Sequence, residues 1–378
     1  MKKEHLICIL IFFIPLCIFA QSEQKHRFDI EVQGGYEFNY FKSPAEVRQN
    51  GIIFNADSLI ASSSYQDVKA DYDYRIKWGT NRLRFSATPF LRHFNEAPSD
   101  SYWSFDGSAK YDTKLSRTTK ILAELSLKRM NREGLDGAQD VLINPLGYTK
   151  YSASGGIEFA ALKRNKSAIE GFYNFKNFDA FGVQDLQYNE FGIKLKSVQS
   201  FYVGKRKHSY GGTITASKRL YTTFNASNID SEGKRDWDYL KASLFYELPF
   251  SKEIEVKPSL IYYQRIDNLL DRSGFTQYGP SLAIRYANKK TKIRGKISYL
   301  TRDYKTLQAR DNNGVIGEPI QYTYADFTIN AEHRILKNVY ATASLYSRVR
   351  NTNFTDIDAR SFRGYRNQYM GIGIRWQL

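Results

Sequence analysis

From Phe28 to its last residue this chain changes character at every second position, and that two-residue period limits the folds open to it more than any other feature. Side chains on a β-strand point alternately to opposite sides, so each such stretch carries an apolar face and a polar one. In the first, Phe28, Ile30, Val32, Tyr36 and Phe38 alternate with Asp29, Glu31, Gln33, Glu37 and Asn39. In the last, Met370, Ile372, Ile374, Trp376 and Leu378 make a wholly apolar face against Tyr369, Gly371, Gly373, Arg375 and Gln377. Segments 68–78, 83–92, 103–112, 121–128, 240–247, 293–299 and 339–346 repeat the pattern clearly. Weaker versions at 150–162, 168–178, 188–198, 209–220, 254–266, 276–286 and 322–334 bring the expected total to about sixteen strands. Pro89, Pro258 and Pro280 fall inside three of these and cannot donate to a ladder, so about fourteen is the alternative count.

The connections between these segments alternate in length. Short ones lie near 79–81, 116–118, 163–166, 204–207, 249–251, 288–290 and 336–338. Longer ones lie near 42–62, 95–100, 131–149, 179–185, 221–236, 267–274, 305–319 and 351–366. A soluble all-β protein has no reason to sort its loops in this way. A barrel crossing a membrane does, with short turns on one side, long loops on the other, and both termini on the short-turn side. The apolar final strand fits the same scheme. Left as an edge it would invite aggregation, whereas in a closed barrel it pairs with the first strand and lipid takes its apolar face. Tyr and Trp gather towards strand ends, as at the two interfaces of a membrane. On these features, residues 28–378 resemble a porin-type outer-membrane β-barrel of a Gram-negative bacterium. Such barrels usually end in Phe or Trp, and here Leu378 is last, with Trp376 two residues before it. The expected fold class is all-β, an antiparallel transmembrane β-barrel with short periplasmic turns and long extracellular loops.

Lys2 and Lys3 precede an apolar run over 6–19, and Ala20 stands ahead of Gln21, so 1–20 reads as a cleaved signal peptide. That run is short for a helix that spans a membrane. Residues 21–27 then read as a short periplasmic segment and 28–378 as the barrel. Both cysteines, Cys8 and Cys17, lie inside the signal, so the exported chain is expected to carry no thiol. Disulfide scaffolds and cysteine–metal sites are thereby set aside.

The formal net charge is +16. Nucleic-acid binding is the usual reading of so basic a chain. Here the cations are spread over strands and turns, and an exported barrel meets little nucleic acid, so none is expected as a partner. Lys163, Arg164, Lys166, Lys205, Arg206, Lys207, Lys289, Lys290 and Lys337 fall in short turns and read as a solvated rim beside anionic headgroups. A second set shares the polar parity of the strands and is expected to line a pore. It comprises Arg84, Arg92, Lys194, Lys196, Arg285, Arg294, Lys296, Arg302, Arg348 and Arg375, with Asp71, Asp73 and Asp106. A cationic wall attracts anions. Carboxylates at Asp29, Glu31, Glu37, Asp71, Asp73, Asp106 and Asp112 would instead neutralise it, and the sequence weighs the two outcomes equally.

The resemblance adds one implication. In porins the third long loop often folds into the channel, which would make Arg132, Glu133, Asp136 and Asp140 a constriction. Taken as residues alone the same stretch reads as an outward surface loop, and that plainer reading is the expected one. His93, with Ser99 and Asp100 after it, is the nearest approach to a hydrolytic site, but His93 has the lipid-facing parity. No enzyme activity, cofactor or metal is expected. The expected function is passive diffusion of small hydrophilic solutes, with anions as the favoured class. The alternative is a barrel that transports nothing and serves assembly, secretion or surface anchoring. Expected partners are outer-membrane lipid and the barrel-assembly machinery, which would read the face formed by Met370, Ile372, Ile374, Trp376 and Leu378. Self-association is left open.

Overall fold

The computed structural model describes residues 23–181, 186–222, 235–269 and 273–378. In chain order its strands are β1 (Glu23–Phe38), β2 (Glu46–Gln49), β3 (Ile52–Asn55), β4 (Ser63–Trp78), β5 (Asn81–Phe94) and β6 (Tyr102–Lys114). β7 (Thr119–Asn131), β8 (Tyr148–Phe159), β9 (Asn165–Phe178), β10 (Gln187–Val203), β11 (Arg206–Tyr221) and β12 (Arg235–Pro249) follow. The last six are β13 (Ile254–Asp267), β14 (Phe275–Ala287), β15 (Thr291–Asp311), β16 (Gly314–Arg334), β17 (Val339–Thr352) and β18 (Tyr365–Gln377). All except β2 and β3 belong to one closed antiparallel barrel of sixteen strands, each paired with its neighbours in sequence. β2 and β3 form a small hairpin inside the first long loop. Among the described residues no helix is long and apolar enough to cross a membrane. The signal reading of 1–20 lies outside the described residues, as do parts of the expected loops 179–185, 221–236 and 267–274.

Parity sorts the wall as the period requires. Met370, Ile372, Ile374, Trp376 and Leu378 are all at least half exposed on the outside of β18, so no protein covers them and the outer face is left to lipid. The short turns are tight. Gly79 and Gly204, at φ 53° and 59°, begin the turns β4–β5 and β10–β11, where a hairpin loop favours a positive φ.

The ring closes between β1 and β18, with Ile30 opposite Trp376 and Gly35 opposite Gly371. The Leu378 amide donates to the Phe28 carbonyl at 2.8 Å, which carries the pairing to the end of the chain. Gly35 and Gly371 together leave a shallow recess on the inner wall. Tyr65 of β4 lies in it, 1% exposed, with its hydroxyl donating to the Met370 carbonyl at 3.2 Å. Arg92 of β5 stacks over that ring at 4.0 Å and bridges Glu37 at 2.5 Å and Asp67 at 2.6 Å. Four strands are thus tied across the seam by one tyrosine and one arginine.

Two expectations change. The first strand begins at Glu23, not at Phe28, and its first residues pair with β4 as far as Lys77. This overhang satisfies itself, through Lys25–Glu23 and Arg27–Asp29 ion pairs and the His26 ring stacked on Tyr74 at 4.4 Å. Residues 305–319 are not a loop. β15 and β16 run for 21 residues each and project as a hairpin that turns through Asn312 and Asn313. Register shifts around Gln308 interrupt the two-residue period while the chain stays extended, which hides the strand from a parity test. Pro258 and Pro280 cost ladder bonds without ending their strands. The β12–β13 pairing skips from Phe245–Ser259 to Leu248–Val256, and the β14–β15 pairing skips Gly279 and Pro280. The count of sixteen therefore stands.

The seam yields a test. A Cβ at Gly371 would collide with the Tyr65 hydroxyl, whereas one at Gly34, on the lipid side, meets nothing nearer than 3.8 Å. Gly371→Val should destabilise the barrel by about 1–3 kcal/mol, as overpacking generally does. The measurement is heat-modifiable gel mobility: the compact band is lost at lower temperature in Gly371→Val and unchanged in Gly34→Val.

Candidate functional site

The lower lumen holds a cavity of about 620 Å³ lined by residues that include Glu31, Lys69, Arg92, Arg294, Glu332 and Arg375. All of the sequence-derived pore-lining residues take the inward parity, but they fall into three groups. Most carboxylates and several cations are matched to each other, within a strand or across neighbouring ones. Asp73 receives Arg75 at 2.5 Å and also Arg84, Asp71 meets Lys69 at 2.7 Å, and Asp106 meets Lys128 at 3.0 Å. Arg348 pairs with Asp326 at 2.5 Å, Arg375 with Glu332 at 2.7 Å, and Lys194 lies 4.0 Å from Glu170. A second group, Lys196, Arg285, Arg294 and Lys296, has no ion-pair partner among the described residues. Arg285 and Arg294 even stand opposite each other in the β14–β15 ladder. Like charges so placed repel unless water or anions screen them. In the third group, Arg92 is buried at the seam with two carboxylates at the edge of the cavity, and Arg302 is partly buried against the aromatic wall above it.

Above the cavity the inner wall is aromatic. Ring contacts run without a break from Tyr148 on β8 through Phe178, Tyr188, Tyr221, Trp237, Tyr239, Tyr263, Phe275, Tyr304 and Tyr322 to Tyr324 on β16. Neighbouring centroids are 5.1–6.4 Å apart, the spacing of offset and edge-to-face pairs. Arginines interleave with the rings. Arg219 lies over Tyr188 at 4.3 Å, Arg265 over Trp237 at 4.2 Å, Arg302 over Phe275 at 4.1 Å and Arg350 over Tyr365 at 4.6 Å. Sequence reasoning assigned Tyr and Trp to the lipid interfaces and missed this belt. The signal was available: Tyr239, Tyr263, Phe275 and Tyr304 share the parity of Lys241, Arg265 and Arg302.

The β7–β8 loop, 131–149 in the sequence reading, does not face outward. It folds over the lumen and its tip reaches β13 and β15, far around the ring from its own strands. Its stem is pinned first. Asp136 pairs with Lys42 at 2.9 Å, the Gly137 amide donates to the Phe41 carbonyl at 2.7 Å, and Arg132 lies over Tyr102 at 4.7 Å. Within the loop, Asp136 N donates to Asn144 O and Leu146 N to Gly134 O, so the tip is carried on a narrow hairpin. Val141 and Leu142 pack into the aromatic belt, which supplies the physical reason for the inward fold. Asp140 then lies 3.6 Å from both Arg265 and Arg302 and accepts the Tyr304 hydroxyl at 3.0 Å. The four loop candidates thus do separate things: Arg132 and Asp136 hold the stem, Asp140 reaches the far wall, and Glu133 is exposed.

Two further loops complete the lid. The β17–β18 connection donates Phe362 N to Gln139 O, and Arg350 reaches Ala138 O at 3.3 Å. It also meets the first loop through Arg48 N to Ile357 O, and the β15–β16 hairpin through Thr355 N to Arg310 O. His93 contacts Ser101 at 3.2 Å, while Asp100 accepts from Tyr40, so the two groups have separate partners. Among the described residues no three His, Cys, Asp or Glu side chains gather as a metal-binding group.

Burial raises the Asp140 carboxyl, but Arg265, Arg302, the Tyr304 hydroxyl and the Val141 amide outweigh it and hold the group below its ordinary value of 3.8. A depressed carboxylate contributes stability that is present above the unfolded value and lost as pH falls through the folded one. The loop tip should therefore resist pepsin above the ordinary carboxylate value and become cleavable near Leu142 only once pH falls well below it. Asp140→Asn should be cut on both sides of that value, as mapped by mass spectrometry of the fragments.

No family model matches the chain, and no curated protein matches it. Among solved structures it is similar to Acinetobacter baumannii OccAB3, at 9% identity and a TM-score of 0.51, covering 94% of this chain and 100% of that one. CdiB from Acinetobacter baumannii gives 10% identity and 0.49, covering 95% and 61%. The outer membrane protein OprD from Pseudomonas aeruginosa gives 9% and 0.47, covering 93% and 94%. At such identities the likeness is one of fold. The chain has the closed, antiparallel, porin-type architecture of outer-membrane β-barrels.

Proposed function

We propose that the protein is an outer-membrane channel for passive diffusion of small hydrophilic solutes, with a preference for anions. The observation that carries this reading is the imbalance in the lower lumen. The carboxylates Asp71, Asp73, Asp106, Asp326 and Glu332 are matched; among the described residues Lys196, Arg285, Arg294 and Lys296 have no ion pair, against Glu31 and Glu255 on the carboxylate side, so cations remain in excess. A wall with leftover positive charge concentrates anions and repels cations. Sixteen strands enclose a lumen wider than side chains alone fill. The rival reading, a scaffold or secretion barrel that passes no small solute, is favoured by the lid that the β7–β8 and β17–β18 loops form with the first loop.

Planar bilayers separate the two. Stepwise currents whose zero-current potential in a salt gradient lies on the anion side support the channel, and a silent bilayer with intact barrel circular dichroism supports the scaffold. A unit charge about 8 Å from a permeating ion in water is worth roughly 0.5 kcal/mol. Each reversal at Arg294→Glu and Lys296→Glu changes the wall by two charges. Four charges change in all, about 2 kcal/mol for an anion and the reverse for a cation before salt screening. The double variant should therefore lower the anion-to-cation permeability ratio by at least about an order of magnitude, and an unchanged ratio in an open channel would remove these residues from the pathway.

A further inference from the structure

Asp140 is a poor fit to the place it occupies. Its carboxylate lies 3.6 Å from the nearest guanidinium nitrogen of Arg265 and the same distance from that of Arg302. A carboxylate free to settle between two arginines closes to about 2.7–2.9 Å and engages a guanidinium with both oxygens. The loop backbone, fixed by Ala138 and Gln139 to Arg350 and to the β17–β18 loop, holds Asp140 short of that distance.

The cradle around it is correspondingly underfilled. Arg265 is 4% exposed; its Nε donates to the Ser273 carbonyl at 2.8 Å, its Nη1 faces Asp140, and its Nη2 has no partner among the described residues. The ring N–H of Trp237, 2% exposed and stacked against Arg265, likewise has none among them. Buried donors left without acceptors are costly, and more so where charge is involved. An unused nitrogen of Arg265 and the ring N–H of the tryptophan stacked on it, with Arg265 and Arg302 sharing one distant carboxylate, describe a site built for more acceptor oxygen than Asp140 brings. Trp237 and Phe275 supply flat apolar walls on either side of the Arg265 guanidinium, at 4.2 and 4.5 Å.

We propose that this cradle binds the carboxylate of a small organic acid, and that Asp140 is a tethered stand-in which the solute displaces, loosening the tip of the β7–β8 loop. The role in transport rests on the diffusion reading, whereas binding in the cradle can be measured without it. A planar two-oxygen anion is favoured over a spherical one because the present occupant is a carboxylate and the donors are arginine forks. Loosening of the tip follows from its construction. Asp140 is its charged anchor on the far wall, where Val141 and Leu142 also pack, while Ala138 and Gln139 hold it to Arg350 and the β17–β18 loop and the stem stays pinned by Lys42 and Phe41.

The binding test uses the full chain in detergent with Trp78, Trp103 and Trp376 replaced by Phe, leaving Trp237 as the reporter. Sodium acetate should shift its emission saturably, while acetamide and equal sodium chloride should not. A tethered competitor acts at an effective concentration in the millimolar range or above, so Asp140→Ala should bind acetate at least about tenfold more tightly. Equal affinity in the two proteins, or an equal response to acetamide, would overturn the proposal. A second measurement needs no tryptophan variant: in bilayers, acetate should raise the open probability of the native protein and leave Asp140→Ala, already open, unchanged. Acetate that leaves native gating unaltered in a conducting channel would refute the displacement. Bilayers silent for both proteins would count against the diffusion reading, and the Trp237 titration would still decide the cradle.

Discussion

Everything in this barrel depends on the hydrogen-bonded seam between β1 and β18. Hydrocarbon offers no partner to a backbone amide, so a sheet in lipid is tolerable only if its two ends find each other. The sequence invests accordingly at that seam. Gly35 and Gly371 are opposed so that Tyr65 can lie flat on the wall, and Arg92 locks the ring with two carboxylates from β1 and β4. Arg92 illustrates the condition for burying a guanidinium: the desolvation cost of several kcal/mol is offset when geometry is close and paired oxygens are plentiful. Once the ring is closed, parity distributes the rest. Outward positions become apolar, and inward ones must be paired, hydrated or covered.

Sixteen strands leave an interior too wide for side chains to fill, and the molecule treats its two halves differently. Below, cross-strand ion pairs line a wet cavity, and a few cations remain in excess. Above, loops enter and build something close to a core, with rings and guanidiniums alternating along the wall. That core contrasts with the seam in its electrostatics. Arg92 has two carboxylates to itself, whereas Arg265 and Arg302 share Asp140 at a distance. An excess of donors over acceptors therefore persists from the lower lumen up into the lid.

The architecture was legible because membrane strands obey a strict local rule. Alternation at 28–40 and 369–378, together with the sorting of connections by length, was sufficient to give a closed antiparallel ring of about sixteen strands. Legibility failed where the rule is relaxed. Beyond the membrane edge, Glu23 to Arg27 are polar on both faces, so the overhang of β1 carries no parity signal. Around Gln308 the bulges shift the phase, and two 21-residue strands read as a loop. The inward course of the β7–β8 loop was hidden for another reason. Its cause is Val141 and Leu142 meeting rings on β9 to β13, a match between segments distant in sequence that no local pattern records.

The direction in which that loop carries its charge has a physical logic. On β4 to β6 the inward carboxylates Asp71, Asp73, Asp106 and Asp112 are neutralised by Lys69, Arg75, Arg84, Lys128 and Arg82, whereas Arg265 and Arg302 on β13 and β15 share one carboxylate. The residual field is therefore positive on the arginine side, and stronger in the loop-filled upper half where water is excluded. A loop tipped with a carboxylate is drawn by that field towards the arginines. The same field acts on any anion that enters, and it acts without the restraint that a backbone places on Asp140. A tethered charge and a diffusing one therefore compete for one set of donors, and the geometry gives the diffusing one the better fit.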